Sequence, residues 1–85
     1  MNKLLFFGSL TCDACNDLKR ELELSGVKRK FDYMFIDAMA DDTQDFCDEH
    51  EVEELPHIKI YDDGGHLIFN KIKTEISTKE VLKNK

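Results

Sequence analysis

The sequence predicts an α/β fold in the order βαβαββα, a four-stranded mixed sheet with three helices. Three observations predict it. Short apolar runs at 3–8 and 31–37 are separated by a stretch with helical periodicity, the pattern of a strand–helix–strand unit. A proline-led run, Pro56-His57-Ile58-Lys59-Ile60-Tyr61, meets a further apolar run, His66-Leu67-Ile68-Phe69, across Asp62-Asp63-Gly64-Gly65, a strong hairpin signal. Ser77-Thr78-Lys79-Glu80 has the form of a capping box and announces a last helix.

Each element has its own justification. Leu4-Leu5-Phe6-Phe7 is continuous rather than alternating, which suits a strand covered on both faces. Gly8-Ser9 breaks the run, and Thr11 or Cys12 begins a helix. There Cys15, Leu18 and Leu22 fall at i, i+3 and i+7, opposite Lys19, Arg20, Glu21 and Glu23. Ser25-Gly26 ends this helix, with Gly26 as a left-handed residue after the cap. Lys28-Arg29-Lys30, the one basic cluster, reads as a solvated loop. Phe31 to Asp37 is aromatic and apolar enough for the second strand. Asp41-Asp42-Thr43 offers N-cap side chains for a helix to about His50, with Phe46, Cys47 and His50 inward. The acidic stretch Glu49–Glu54 reads as a solvated face. Pro56, the only proline, opens its strand, where no ladder hydrogen bond is lost. Ile76 and Val81 bracket the last capping box as a hydrophobic staple.

Eighty-five residues allow a single domain with a thin core, burying about 60% of the surface of the unfolded chain. The net charge of −6 excludes a nucleic-acid backbone as partner and favours basic rims on protein partners. No apolar span is long enough to cross a membrane, and the N-terminal run is too short for a signal-peptide core. The expectation is a monomer in the cytoplasm. In a reducing cytosol a C-x-x-C is catalytic or metal-binding rather than a permanent staple, and the odd count of three cysteines agrees.

Cys12-Asp13-Ala14-Cys15 stands at the predicted strand-to-helix junction. Two cysteines so spaced can close a disulfide within one helical turn. The first sits where unpaired backbone N–H groups and the helix dipole favour an anion, and thiolate is the nucleophilic form of cysteine. Asp13 and Asp17 oppose that effect, so the thiolate is expected to be moderately stabilised. A rival reading joins Cys12 and Cys15 to Cys47 and His50 as four zinc ligands in two pairs. Against it, the intervening residues hold a helix and a strand, and Cys47 falls naturally on an apolar helix face. His57 either stands near Cys12, favouring its thiolate when protonated, or turns its ring to solvent.

The element order, the C-x-x-C after the first strand and the lone proline before the third resemble the thioredoxin superfamily, at the compact length of a glutaredoxin. Two stretches carry the resemblance over essentially the whole chain. One is Phe6-Phe7-Gly8-Ser9-Leu10-Thr11-Cys12-Asp13-Ala14-Cys15; the other is His50-Glu51-Val52-Glu53-Glu54-Leu55-Pro56, continuing through Ile58, Ile60 and Asp63-Gly64. The resemblance implies a small thiol–disulfide oxidoreductase that reduces protein disulfides by dithiol exchange. Cys12 would be the attacking thiol and Cys15 the resolving one. Pro56 would be cis beside the pair, with Leu55 offering its backbone to an extended substrate and Thr11, Asp13 and Ala14 completing the substrate surface. No cofactor is implied beyond the redox-active disulfide Cys12–Cys15, and the electron donor would be a reductase or glutathione. The superfamily also includes non-catalytic binding modules, which would need neither cysteine.

Three departures accompany the likeness. Asp13-Ala14 is neither the thioredoxin Gly-Pro nor the glutaredoxin Pro-Tyr, and no Trp precedes Cys12. Phe6 stands where thioredoxins have a buried acid, so a proton leaving Cys15 needs another route, such as water. Lys71-Ile72-Lys73-Thr74 stands where glutaredoxins place a glycine pair for glutathione, which argues against glutathione and against a glutathione-held iron–sulfur cluster.

Overall fold

In the computed structural model, which describes residues 1–85, the first apolar run forms β1 (Lys3–Gly8). Every residue from Leu4 to Gly8 is buried, as a strand covered on both faces requires. β1 pairs in parallel with β2 (Asp32–Asp37) and antiparallel with β3 (His57–Tyr61), while β4 (Leu67–Ile72) closes the far edge antiparallel to β3. The sheet order is β2-β1-β3-β4, the mixed four-stranded sheet expected.

The helices are α1 (Asp13–Leu24), α2 (Val27–Lys30), α3 (Gln44–Glu49) and α4 (Thr78–Leu82). They number four, not three, and the addition is α2. Lys28-Arg29-Lys30 is therefore a helical turn rather than a loop. Val27 and Phe31 on either side of the basic run are buried in the core, and that burial winds the backbone between them. The charges themselves stay at the surface, Lys30 Nζ donating to the Ser25 carbonyl at 3.0 Å. Gly26 takes the left-handed conformation (φ 85°) that lets α1 stop and α2 start at once.

Alternation along the strands sorts the core into two layers. On one face Leu4, Phe6, Ile58, Ile60 and Phe69 meet Leu18 and Leu22 of α1, Val27, Phe31 and Val81 of α4. On the other, Leu5, Phe7 and Ile36 meet Cys47 of α3, with Phe46, Val52, Leu55 and Tyr61 packed around them. A 3-10 turn at Asp41–Thr43 leads into α3. The end of α3 is closed by Glu51 N–H to the Asp48 carbonyl (3.1 Å) and Val52 N–H to the Cys47 carbonyl (3.0 Å). That Schellman geometry puts Glu51 at φ 54°.

The final hairpin and helix follow the sequence reading with one adjustment. β4 runs on to Ile72, past the apolar run, because an edge strand tolerates exposed Asn70 and Lys71. At α4, Ser77 Oγ accepts the Glu80 backbone N–H at 3.5 Å, Val81 is buried and Ile76 packs against the same core. No helix is long and apolar enough to cross a membrane.

Candidate active site

The turn after β1 is built by short-range hydrogen bonds. Cys12 N–H donates to the Ser9 carbonyl at 3.2 Å, the Ser9 and Thr11 hydroxyls lie 2.9 Å apart, and Asn16 Nδ2 donates to the Leu10 carbonyl at 2.9 Å. These bonds leave Cys12 with extended backbone (φ −99°, ψ 115°) as the N-cap of α1. Its Sγ accepts the Cys15 backbone N–H at 3.2 Å. A sulfur thus does the work usually given to a serine or aspartate oxygen.

The two thiols, both free, have unlike surroundings. Cys12 is half-buried, whereas Cys15 is sealed at 0% exposure. Burial pushes the Cys15 thiol up to about 11, a hydrogen bond with Cys12 adds to the rise, and a backbone hydrogen bond at Ser9 pulls against it. Beneath lie Phe6, fully buried, and Gly8. A Cβ on Gly8 would stand 2.8 Å from Phe6 Cε1 and 3.3 Å from Cys15 Cβ, so its bare Cα admits α1 this close to β1. Phe6 and Cys15 thus border the same space above Gly8, to which Phe6 brings only hydrocarbon.

Across a shared groove from Ala14, the residue between the two cysteines, the Leu55–Pro56 peptide bond is cis and Pro56 is buried. The Pro56 carbonyl accepts the Lys73 N–H at 2.8 Å, which ties the end of β4 to this loop. Between α1 and the loop runs a groove of about 490 Å³. Ala14, Leu18, Leu55, Pro56 and Ile76 form its apolar side; Asp17 and Glu21 line it from α1, Lys73 and Thr74 from the opposite wall. Of the residues expected here, Ala14, Leu55 and Pro56 border the groove. Thr11 and Asp13 are exposed but outside it, Thr11 bonded to Ser9 and Asp13 in the first turn of α1. Sequence reasoning does not place Asp17, Glu21, Lys73 or Thr74 in the groove. For the two acids the available signal is the spacing Asp13, Asp17, Glu21, which puts three carboxylates one turn apart along α1; Lys73 and Thr74 carry none.

The remaining sequence candidates fall elsewhere. Cys47 lies on the α3 face of the sheet with Leu5, Phe7 and Ile36, and burial raises its thiol. The sheet separates it from the α1 face, so the proposed zinc tetrad does not converge, and no group of three or more ligating side chains is placed to hold a metal. His50 packs on Phe46 and Phe7, with ring centroids at 4.6 and 5.4 Å, and burial followed by the Lys59 charge lowers its pKa. His57 meets neither expectation: it is buried on the α3 face against Phe7, its Nε2 2.6 Å from Asn70 Oδ1. At the would-be glycine pair, Lys73 holds φ 50° and its Nζ reaches Glu54 Oε1 at 3.2 Å.

No family model matches the sequence, and no curated protein matches it. Solved structures do. Thioredoxin 1 from Thermosipho africanus TCF52B superposes with a TM-score of 0.79 at 18% identity, over 96% of this chain and 88% of that one. Mitochondrial thioredoxin 3 from Saccharomyces cerevisiae, in its oxidized form, gives 0.74 at 22% identity over 96% and 74%. A chain from the complex of ferredoxin:thioredoxin reductase with thioredoxin f2 gives 0.75 at 16% identity over 96% and 72%. Over nearly its whole length, with its cysteine pair at the start of α1 and a cis-proline across the groove from Ala14, this chain has the thioredoxin fold.

Proposed function

We propose that the protein is a small thiol–disulfide oxidoreductase that reduces protein disulfides through Cys12 and Cys15. The observation that carries this reading is the asymmetry of the pair: a reachable sulfur capping α1 and a sealed thiol one turn behind it. Cys12 thiolate attacks one sulfur of the substrate disulfide, forming a mixed disulfide and releasing the other sulfur as thiolate. Cys15 then gives up its proton, to that departing thiolate or to water since Phe6 offers no base, and attacks Cys12 Sγ. The mixed disulfide breaks, the substrate leaves as a dithiol, and Cys12–Cys15 is left oxidised. Two electrons and two protons from a donor restore it.

A reductase is the donor this reading favours. A similar chain occurs in the ferredoxin:thioredoxin reductase complex with thioredoxin f2. Lys73, standing where glutathione binding would need glycine, weighs against glutathione. The setting is a reducing cytosol with the protein as a monomer. Insulin reduction with dithiothreitol tests the chemistry. Wild-type protein is expected to accelerate insulin precipitation, Cys12→Ser to abolish the effect, and Cys15→Ser to accumulate a mixed disulfide on Cys12 visible by mass. Absence of turnover with dithiothreitol and with every reductase tried overturns the proposal.

A further inference from the structure

We infer that the groove beside Pro56 selects disulfides carried on basic segments, seating an apolar side chain on Leu18, Leu55 and Ile76 and a Lys or Arg over Asp17 and Glu21. The inference rests on the thiol–disulfide reading of the site and concerns which disulfides reach Cys12. Its ground is uncompensated charge on one wall. Asp17 and Glu21 are exposed, one turn apart, and both line the groove. Glu21 enters no ion pair, and Asp17 meets only Arg20, at 3.3 Å in a pair whose side chains are both 71% exposed. Such a pair is weak and yields readily to another cation. Lys73, the one cation lining the groove, is already held by Glu54 at 3.2 Å.

Position along α1 makes the preference specific. Ala14 lies between the two cysteines at the head of the groove. At 1.5 Å per residue, Asp17 stands about 4.5 Å and Glu21 about 10.5 Å farther along the helix axis. From Cys12, which the attacked sulfur meets, these offsets grow to about 7.5 and 13.5 Å, and an extended segment laid along α1 advances about 3.3 Å per residue, so side chains two to four positions from the attacked cysteine fall over these carboxylates. An acidic segment would meet repulsion there, and a second copy of this chain, at −6, repels itself. Exposed charge pairs of this kind act through screened attraction, so the selection is expected to be about five- to tenfold at low salt and to fade as salt rises.

Three disulfide-bridged peptides, identical except for Lys, Gln or Glu at the second and fourth positions from one cysteine, test the inference. With full-length protein and dithiothreitol, kcat/KM is expected to fall in the order Lys, Gln, Glu, by about five- to tenfold across the series and chiefly through KM. In Asp17→Asn/Glu21→Gln the three peptides should agree within about twofold. Equal kcat/KM for the three with the wild type, or an order that survives the double variant, overturns the inference. If none of the peptides is reduced, the redox reading is what has failed. The charge reading is then decided by amide NMR shifts of Ala14, Leu18 and Thr74 on titration with cysteine-free Lys and Glu peptides. Shifts with the Lys peptide alone support it; shifts with both, or with neither, overturn it.

Discussion

Gly8→Ala adds one methyl group where β1 hands the chain to α1. Its Cβ would lie 2.8 Å from Phe6 Cε1, 3.0 Å from Phe35 Cε1 and 3.3 Å from Cys15 Cβ. Relaxed carbon contacts sit near 3.5–4.0 Å, so three neighbours would have to yield by several tenths of an ångström. Phe6 has no room to do so: it is fully buried and its ring packs on Phe35 with centroids 5.2 Å apart. Gly8 is not in the left-handed region, so the cost is steric alone. Overpacking of this kind costs about 1–3 kcal/mol. For a domain of this size that lowers Tm by about 5–20 °C. Because one of the three contacts is Cys15, relief by moving α1 outward also disturbs the Cys12 cap, and disulfide reduction should fall several-fold at temperatures where the variant is folded. Circular-dichroism melts of the reduced protein and insulin turnover read the two effects. Gly65→Ala is the comparison: nothing lies within 4 Å of its Cβ, but φ is 83°. It should cost about 1 kcal/mol through backbone strain alone and leave turnover intact. A Gly8→Ala protein that melts with the wild type and turns over normally would show that Phe6 has slack, and would refute the packing argument.

Two further outcomes are expected. Burial holds Cys15, raised to about 11, and Cys47 in the thiol form below their raised values. Iodoacetamide near pH 8 should therefore add one label, on Cys12, with labelling of Cys15 growing only as pH rises toward 11; equal labelling of Cys12 and Cys15 near pH 8 contradicts the sealed site. Glu51→Gly relieves a side chain held at φ 54° in the Schellman turn, and should raise stability by about 1 kcal/mol, or Tm by about 4–8 °C. A lower Tm in that variant would mean that the Glu51 side chain, not the turn geometry, holds the end of α3.

The sheet was legible because its strands are apolar runs punctuated by glycine, proline and aspartate, and because Cys15, Leu18 and Leu22 mark one face of α1 at helical spacing. α2 was not, since four residues cannot display a helical period, and its cause, the burial of Val27 and Phe31, is a tertiary event. The C-terminal half of β4 was hidden by polar side chains that only an edge strand permits. At the site, the cysteine spacing and the lone proline are local signals and could be read directly. The groove could not, because its walls come from α1 and from the turn at 73–75, and their meeting depends on the Pro56–Lys73 hydrogen bond. Cys47 and His50 show the converse limit. Their spacing suits a metal, but spacing carries no information about which side of a sheet a helix will cover.

The two apolar clusters of the core are unequal, ten buried residues on the α1 face and four on the α3 face. Local opening follows the thinner packing, so α3 and the loop that carries Leu55 should exchange their amide protons sooner than α1 does. Leu55 is anchored to the smaller cluster, while α1, which bears both thiols, is anchored to the larger one. Folding has in this way divided compliance from precision. On the function proposed above, the sulfur chemistry would ride on the layer expected to open last, and of the apolar groove residues Leu18, Leu55 and Ile76 only Leu55 belongs to the layer expected to open first.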